Sequence, residues 1–144
     1  MIQYRSPRST EEFADYFLFR WALLRKPLGL PRGSERDALE DAAYHVAAYD
    51  RQSVIGVGRV HLEGNHMARV RYMAVVASYR GQGVGREILG RLEQFARRQK
   101  VRICWLYARE NAVEFYKRNG YVIGGVGDSE LSGVRHERME KHLG

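Results

Sequence analysis

Arg80-Gly81-Gln82-Gly83-Val84-Gly85 follows the apolar run Met73-Ala74-Val75-Val76 and opens a helical pattern that begins near Val84. A strand, a glycine turn and a helix start make an anion cradle. Glycine lets several backbone N–H groups converge on one point, and the first helical turn adds unpaired donors and the positive end of the helix dipole. The group that fits is a phosphate. A P-loop ends in Gly-Lys-Ser/Thr, whereas Gly85 is followed by Arg86 and Glu87, which argues against nucleotide triphosphate hydrolysis. A dinucleotide fingerprint needs a third glycine where Ile88 stands. It also needs an acidic residue about 20 residues on, where the chain has Tyr107.

What remains is Arg-x-x-Gly-x-Gly, here Arg80, Gly83 and Gly85, preceded by Met-Ala-Val. This pattern resembles the coenzyme A loop of the GCN5-related N-acetyltransferases, the GNAT family. A tight strand-to-helix turn can use glycines for geometry alone, so a second segment matters. Leu106-Tyr107-Ala108-Arg109-Glu110-Asn111-Ala112-Val113-Glu114-Phe115-Tyr116-Lys117-Arg118-Asn119-Gly120-Tyr121 resembles the family's second signature: a strand, then Asn, Ala, a Phe-Tyr pair and a Gly-Tyr step. Both segments stand in the expected order and separation. Glu130-Leu131-Ser132-Gly133-Val134-Arg135-His136-Glu137-Arg138-Met139 resembles the last hairpin strand of a bacterial subfamily, as does Trp21 to Arg25 followed by Glu35, Asp37 and His45. The resemblance covers most of the chain, most closely over residues 70–122.

The resemblance implies an α/β chain with the GNAT acyl-CoA N-acyltransferase fold: a central mixed, mostly antiparallel sheet flanked by about four helices, with two central strands that splay apart. It implies acetyl-CoA as cosubstrate, a primary amine on a small molecule or peptide as acceptor, and direct attack in a ternary complex. The pyrophosphate would lie on the backbone of Gly81, Gln82, Gly83, Val84, Gly85 and Arg86 with Arg80 nearby, and the pantetheine arm along Met73, Ala74 and Val75. An extended amide chain can add to a strand edge in this way. Tyr116 matches the position whose hydroxyl protonates the leaving sulfur, and Asn111 one that contacts the coenzyme. The bland readings are a packing role for Phe115-Tyr116 and a helix N-cap for Asn111.

Transfer to an amine poses two proton problems. A lysine-like amine, with a pKa of about 10.4, is mostly protonated at neutral pH, and the departing thiolate, at about 8.5, gains from protonation. Family members differ in the base, so it stays open here among Glu63, at the end of a strand before a Gly64-Asn65 turn, and Glu130 and His136 in the final hairpin. His136 shares strand parity with Val134 and Arg138, and an unperturbed imidazole suits neutral-pH proton transfer; a hydrogen-bonded structural role competes with it. A rival function is an acyl-CoA-binding sensor without turnover, since binding needs only the glycine loop.

At 144 residues the chain is expected to form one domain, residues 1–144, burying roughly two thirds of its unfolded surface. Its net charge of +7 raises nucleic acid as a partner. Arg80, Arg86, Arg91, Arg97, Arg98, Lys100 and Arg102 cluster around the loop and its helix, where coenzyme phosphates account for part of the field. With no recognisable nucleic-acid module, that partner is not expected. Cys104 is the one cysteine and sits in an apolar strand, so it reads as inert and points to a reducing cytoplasm. Glu11, Glu12, Asp15 and Arg20 interrupt any signal or spanning pattern, so no membrane is expected. His45, His61 and His66 lack ligand spacing, so no metal is expected. A homodimer is left open, with no diagnostic interface in the sequence.

Along the chain, Ser9 with Glu12 forms a capping box and predicts a helix over residues 9–25. Pro27, Gly29, Pro31 and Gly33 predict a mobile loop. A short helix is expected over 35–41, strands over 2–5, 43–49, 54–62, 67–76, 102–107, 121–126 and 134–143, and a short helix over 111–118. Val84, Ile88, Leu92 and Phe95 give the loop helix one buried face. The order of elements predicts antiparallel pairs on each side of one helical crossover.

Overall fold

The computed structural model describes the backbone of residues 1–131 and 133–144 and the side chains outside 125–132. The Glu130 carboxylate and Ser132 therefore lie outside the described residues. In chain order the elements are β1 (Ile2–Arg5), α1 (Thr10–Leu24), β2 (Tyr44–Asp50), β3 (Ser53–Glu63), β4 (Met67–Val75), α2 (Val84–Arg98), β5 (Ile103–Arg109), α3 (Val113–Arg118), β6 (Val122–Leu131) and β7 (Val134–His142). The strands form one sheet in the order β1-β2-β3-β4-β5-β7-β6. Every pairing is antiparallel except β4 with β5, which are parallel and joined through α2. Among the described residues no helix is long and apolar enough to cross a membrane.

Two clusters bury the faces of the sheet. On one, Val84, Ile88, Leu89, Leu92 and Ala96 of α2 pack with Val46, Val60, Val70, Leu106 and Met139 of the strands. The amphipathic stripe read from the sequence is the face that packs. Two glycines of β3 set how closely α2 can lie. A Cβ on Gly58 would stand 2.6 Å from Met73 Sδ and 2.7 Å from Ile88 Cγ2, and one on Gly56 would stand 2.9 Å from Ile88 Cδ1. The opposite face packs Tyr16 and Phe17 of α1 against Ala47, Tyr49 and Val57. Ser9 caps α1 as its spacing predicts, its side-chain oxygen accepting from the Glu12 N–H at 3.1 Å.

The helix expected over residues 35–41 does not form; a single 3-10 turn at Glu40–Ala42 is all that is helical there. The carboxylates of the stretch serve other partners. Asp37 Oδ1 accepts from the Leu39 N–H at 2.9 Å, and Glu40 Oε2 accepts from the Asp37 N–H at 3.0 Å. Both acids also receive Arg59. Such local side-chain bonds compete with helical pairing. The loop predicted to be mobile is pinned by α1: Trp21 Nε1 donates to the Leu30 carbonyl at 3.0 Å, Arg25 Nε to Ser34 at 3.1 Å and Arg20 Nη1 to Glu35 at 3.0 Å.

Candidate active site

β4 and β5 pair at Met67, Ala68 and Arg69, opposite Ile103, Cys104 and Trp105, and then part. Just beyond the split, Arg71 pairs with Arg59 and Ala74 with Val57, so Tyr72 and Met73 together face Gly58 alone. This bulge carries Tyr72 at φ +61°, a left-handed conformation that costs a bulky residue roughly 1–2 kcal/mol. Bulges of this kind bend a strand and re-aim its side chains.

Two adjoining cavities open along the split. The larger, of about 850 Å³, runs from Met73, Ala74 and Val75 to the glycine loop and is also lined by Asn111 and Tyr116. The smaller, of about 200 Å³, lies between β4 and β5 and is lined by Tyr72, His136 and four arginines, Arg25, Arg69, Arg71 and Arg109. Leu24, Met73, Arg109, Ala112 and Tyr116 belong to both walls, so the cavities meet at Tyr116.

At the far end, Gly81 and Gly83 sit at φ +78° and +82° with nothing within 4 Å of where a Cβ would stand. Gly83 caps α2 without a side-chain bond, and the Glu87 N–H donates to the Gly83 carbonyl at 3.0 Å. The N–H groups ahead of Glu87 are thus the orphan donors of a helix start. Arg80, Arg86 and Arg118 line the same mouth. Open glycine backbone, orphan donors and guanidinium groups fit the diphosphate of a coenzyme. Gly85 differs from its two neighbours: its Cα faces Phe115, whose ring would be 3.2 Å from a Cβ, so it serves helix packing. Gln82 does not line the cavity; its amide turns back to donate to the Ser78 carbonyl at 3.1 Å. Asn111 does line it, and it is not the cap of α3, whose N-cap is Ala112 with no side-chain bond.

Tyr116 is 7 % exposed and stacks edge-on to Phe115 and Tyr121. Burial pushes its phenol well above the ordinary tyrosine range, so it holds its proton throughout neutral pH. His136 comes to the small cavity from β7, opposite Arg109 of β5, and its Nδ1 lies 3.0 Å from the Val134 carbonyl. Glu63 is not brought to either cavity. It accepts from Trp105 Nε1 at 2.6 Å, its other oxygen lies 3.6 Å from His61 Nε2, and its charge acts on Arg69 beside Trp105. Cys104 is fully buried and its thiol is pushed up to about 12 by burial, which suits an inert residue. Among the described residues no group of His, Cys, Asp and Glu could hold a metal. Of the basic cluster around the loop, Arg91 pairs with Glu87 and Arg97 reaches the Leu143 carbonyl, leaving Arg80 and Arg86 at the cavity.

A buried ion network that sequence reading missed supports the small cavity from behind. Arg20 and Arg59, both 0 % exposed, meet at Glu40 Oε2 at 2.9 Å each. Asp37 accepts from Arg59 at 2.7 Å and from Arg71 at 2.8 Å. Burial alone would raise the Asp37 carboxyl, but hydrogen bonds from Arg59 and Leu39 and the Arg59 and Arg71 charges prevail and hold it well below the usual range. His45, which meets Tyr16 and the Glu40 carbonyl at 2.8 Å each, has its pKa lowered by burial. The arginines of the small cavity were missed as well. Their one signal was parity: Arg69 and Arg71, two apart on a strand, project from one face.

A family model described as the Acetyltransferase (GNAT) family matches residues 3–121. The uncharacterized N-acetyltransferase YjcF of Bacillus subtilis is 29 % identical over 134 residues, covering 93 % of this chain and 95 % of the relative. Among solved structures, an acetyltransferase of the GNAT family from Staphylococcus aureus superposes with a TM-score of 0.84 at 17 % identity over 100 % of both chains. PaiA N-acetyltransferase from Thermoplasma acidophilum, solved in complex with coenzyme A, superposes with a TM-score of 0.71 at 16 % identity over 99 % of both chains.

Proposed function

Because this chain belongs to the GNAT acetyltransferase family, we propose that it moves the acetyl group of acetyl-CoA to a primary amine by direct attack in a ternary complex. The observation that carries this reading is the place of Tyr116, at the junction of a long cavity that ends on a glycine cradle and a short one that opens beside it. Acetyl-CoA would supply an activated thioester. Its diphosphate would be held by the backbone at the start of α2 with Arg80, Arg86 and Arg118, and its amide-bearing arm by the free edge of β4 at Met73, Ala74 and Val75.

Tyr116 is the candidate proton donor to the leaving sulfur: burial keeps its phenol protonated at neutral pH, so its hydroxyl can donate a hydrogen bond to the sulfur as negative charge builds there. His136, on the wall of the small cavity, is the candidate base for the attacking amine. The arginines of the small cavity help in a second way. A positive surround disfavours an ammonium group and lowers the pKa of an amine placed there, raising the fraction able to attack. The fixed walls bring the two reactants together, which removes much of the entropic barrier to a bimolecular step.

Thiol release from acetyl-CoA is the test, with wild type and Tyr116→Phe in parallel across amines, amino acids and peptide N-termini. The variant is expected to lose about tenfold to a thousandfold in kcat, the scale of a lost general acid, with coenzyme affinity by calorimetry little changed. An unchanged kcat removes Tyr116 from the chemistry. Tight coenzyme binding with no turnover of any acceptor overturns the transferase reading in favour of a sensor.

A further inference from the structure

We infer that the acceptor is a small amine that also carries an anionic group, a carboxylate or a phosphate, bound by Arg25, Arg69 and Arg109 in the cavity beside Tyr116. This rests on the transferase reading above and names the acceptor class for that site.

The argument begins with how this chain treats buried arginine elsewhere. Arg20 and Arg59 are fully buried, and each is met by carboxylate: Glu40 for the first, Asp37 and Glu40 for the second. A buried guanidinium left without such a partner is strongly unfavourable. The small cavity breaks that pattern. Among the described residues its lining holds four arginines and His136, and no aspartate or glutamate. Arg71 has a carboxylate behind it, Asp37 at 2.8 Å. The other three have none among the described residues. Arg25, 6 % exposed, donates to the Ser34 and Leu24 carbonyls, each at 3.1 Å, and lies over the Tyr72 ring at 5.4 Å. Arg109 donates to the Leu24 carbonyl at 2.9 Å. Arg69 lies over the Trp105 and Tyr107 rings at 4.8 and 5.2 Å, and its buried Nε has no hydrogen-bond partner. Burial lowers the pKa of all three, the sign of charge held at a cost.

Three forks that converge on one concavity, none with a carboxylate at ion-pair distance among the described residues, are what a bound oxyanion would satisfy, because guanidinium matches carboxylate and phosphate with paired, charge-assisted bonds. The same field repels a polyamine. The cavity volume, about 200 Å³, limits the acceptor to a small molecule or the end residue of a chain. Its junction with the long cavity at Tyr116 places an amine near the anionic group within reach of the reacting carbon.

Matched pairs test this: α-amino acids against their amides, and an amino sugar phosphate against the unphosphorylated amino sugar, with spermidine as the cationic control. In the thiol-release assay at least one anionic member is expected to exceed its neutral partner at least tenfold in kcat/KM. The better arm tells carboxylate from phosphate. Arg69→Gln is expected to erase that preference while coenzyme affinity by calorimetry stays within about twofold of wild type, since Arg69 lines the small cavity and not the large one. A neutral or cationic member preferred by wild type overturns the inference without any variant, so a variant that fails to fold leaves the test intact. If nothing turns over, the anionic members are titrated into protein saturated with coenzyme A. Binding that Arg69→Gln abolishes keeps the anion site while the transferase reading falls; no binding of either anion at millimolar concentration overturns the inference too.

Discussion

The glycines of the Arg80 to Gly85 stretch do two different things, and the difference decides what a substitution there should do. Gly83, at φ +82° beneath open space, is the residue over which a diphosphate would sit. Gly83→Val brings backbone strain and two methyl groups into that space, and is expected to weaken coenzyme A binding at least a hundredfold by calorimetry; unaltered affinity would refute the cradle. Gly85 is needed for the approach of Phe115 instead. The sequence marks both as glycine and cannot tell them apart, because one is set by local dihedrals and the other by a side chain 30 residues on. Tyr116 and Asn111 were legible for a similar reason in reverse: they sit in a contiguous signature whose spacing survives folding. His136 was found by strand parity. Arg25, Arg69 and Arg109 were not found, because they come from α1, β4 and β5 and converge only when the two central strands part.

At the scale of elements, β3 is the strand that decides how α2 and β4 fit together. Its glycines were read as nothing more than strand interior, since a close approach of backbone to helix leaves no periodic trace. Gly58→Ala drives a Cβ to 2.6 Å from Met73 Sδ and 2.7 Å from Ile88 Cγ2. Overpacking of this kind costs about 1–3 kcal/mol, to be read as a lower urea midpoint. Because Met73 lines both cavities, a rise in KM for acetyl-CoA is expected alongside it. A loss of stability with KM unmoved would mean that Met73 yields without disturbing the walls. The segment over residues 35–41 went the other way. Its charges read as a short helix, and they turn inward because two buried guanidinium groups need them.

Across the whole molecule, Asp37 ties the loop after α1 to β3 and β4 through Arg59 and Arg71. Its carboxyl is held below the usual range in the folded chain, so its contribution to stability is complete above the unfolded pKa of about 4 and fades as pH falls through the folded value. Asp37→Asn is expected to lower unfolding free energy at pH 7 by about 3 kcal/mol, and to flatten the loss of stability below about pH 4. Glu12, held at about 2 chiefly by its hydrogen bonds from Arg5, keeps part of the acid slope in the variant. Urea unfolding at a series of pH values checks this; a variant whose acid slope equals that of wild type would show that Asp37 is not the linked group. The topology on which these links hang was legible from element order, with antiparallel groups on each side of one crossover.

The parting of β4 from β5 also places a sheet edge in the middle of the molecule. Three paired residues join the halves there, and past them the main-chain groups of Met73 to Val75 on the β5 side have no strand to meet. Proteins ordinarily guard such edges at their rims with charge, proline or brevity, because an unguarded edge invites a foreign strand, including one from a neighbouring copy. This chain has its edge where the chemistry needs it and so cannot guard it in those ways. Under the proposed function, colloidal behaviour and catalysis share one surface: a coenzyme arm along β4 would also shield the protein from its own kind, and the tendency to clump in a concentrated solution should fall as coenzyme is supplied.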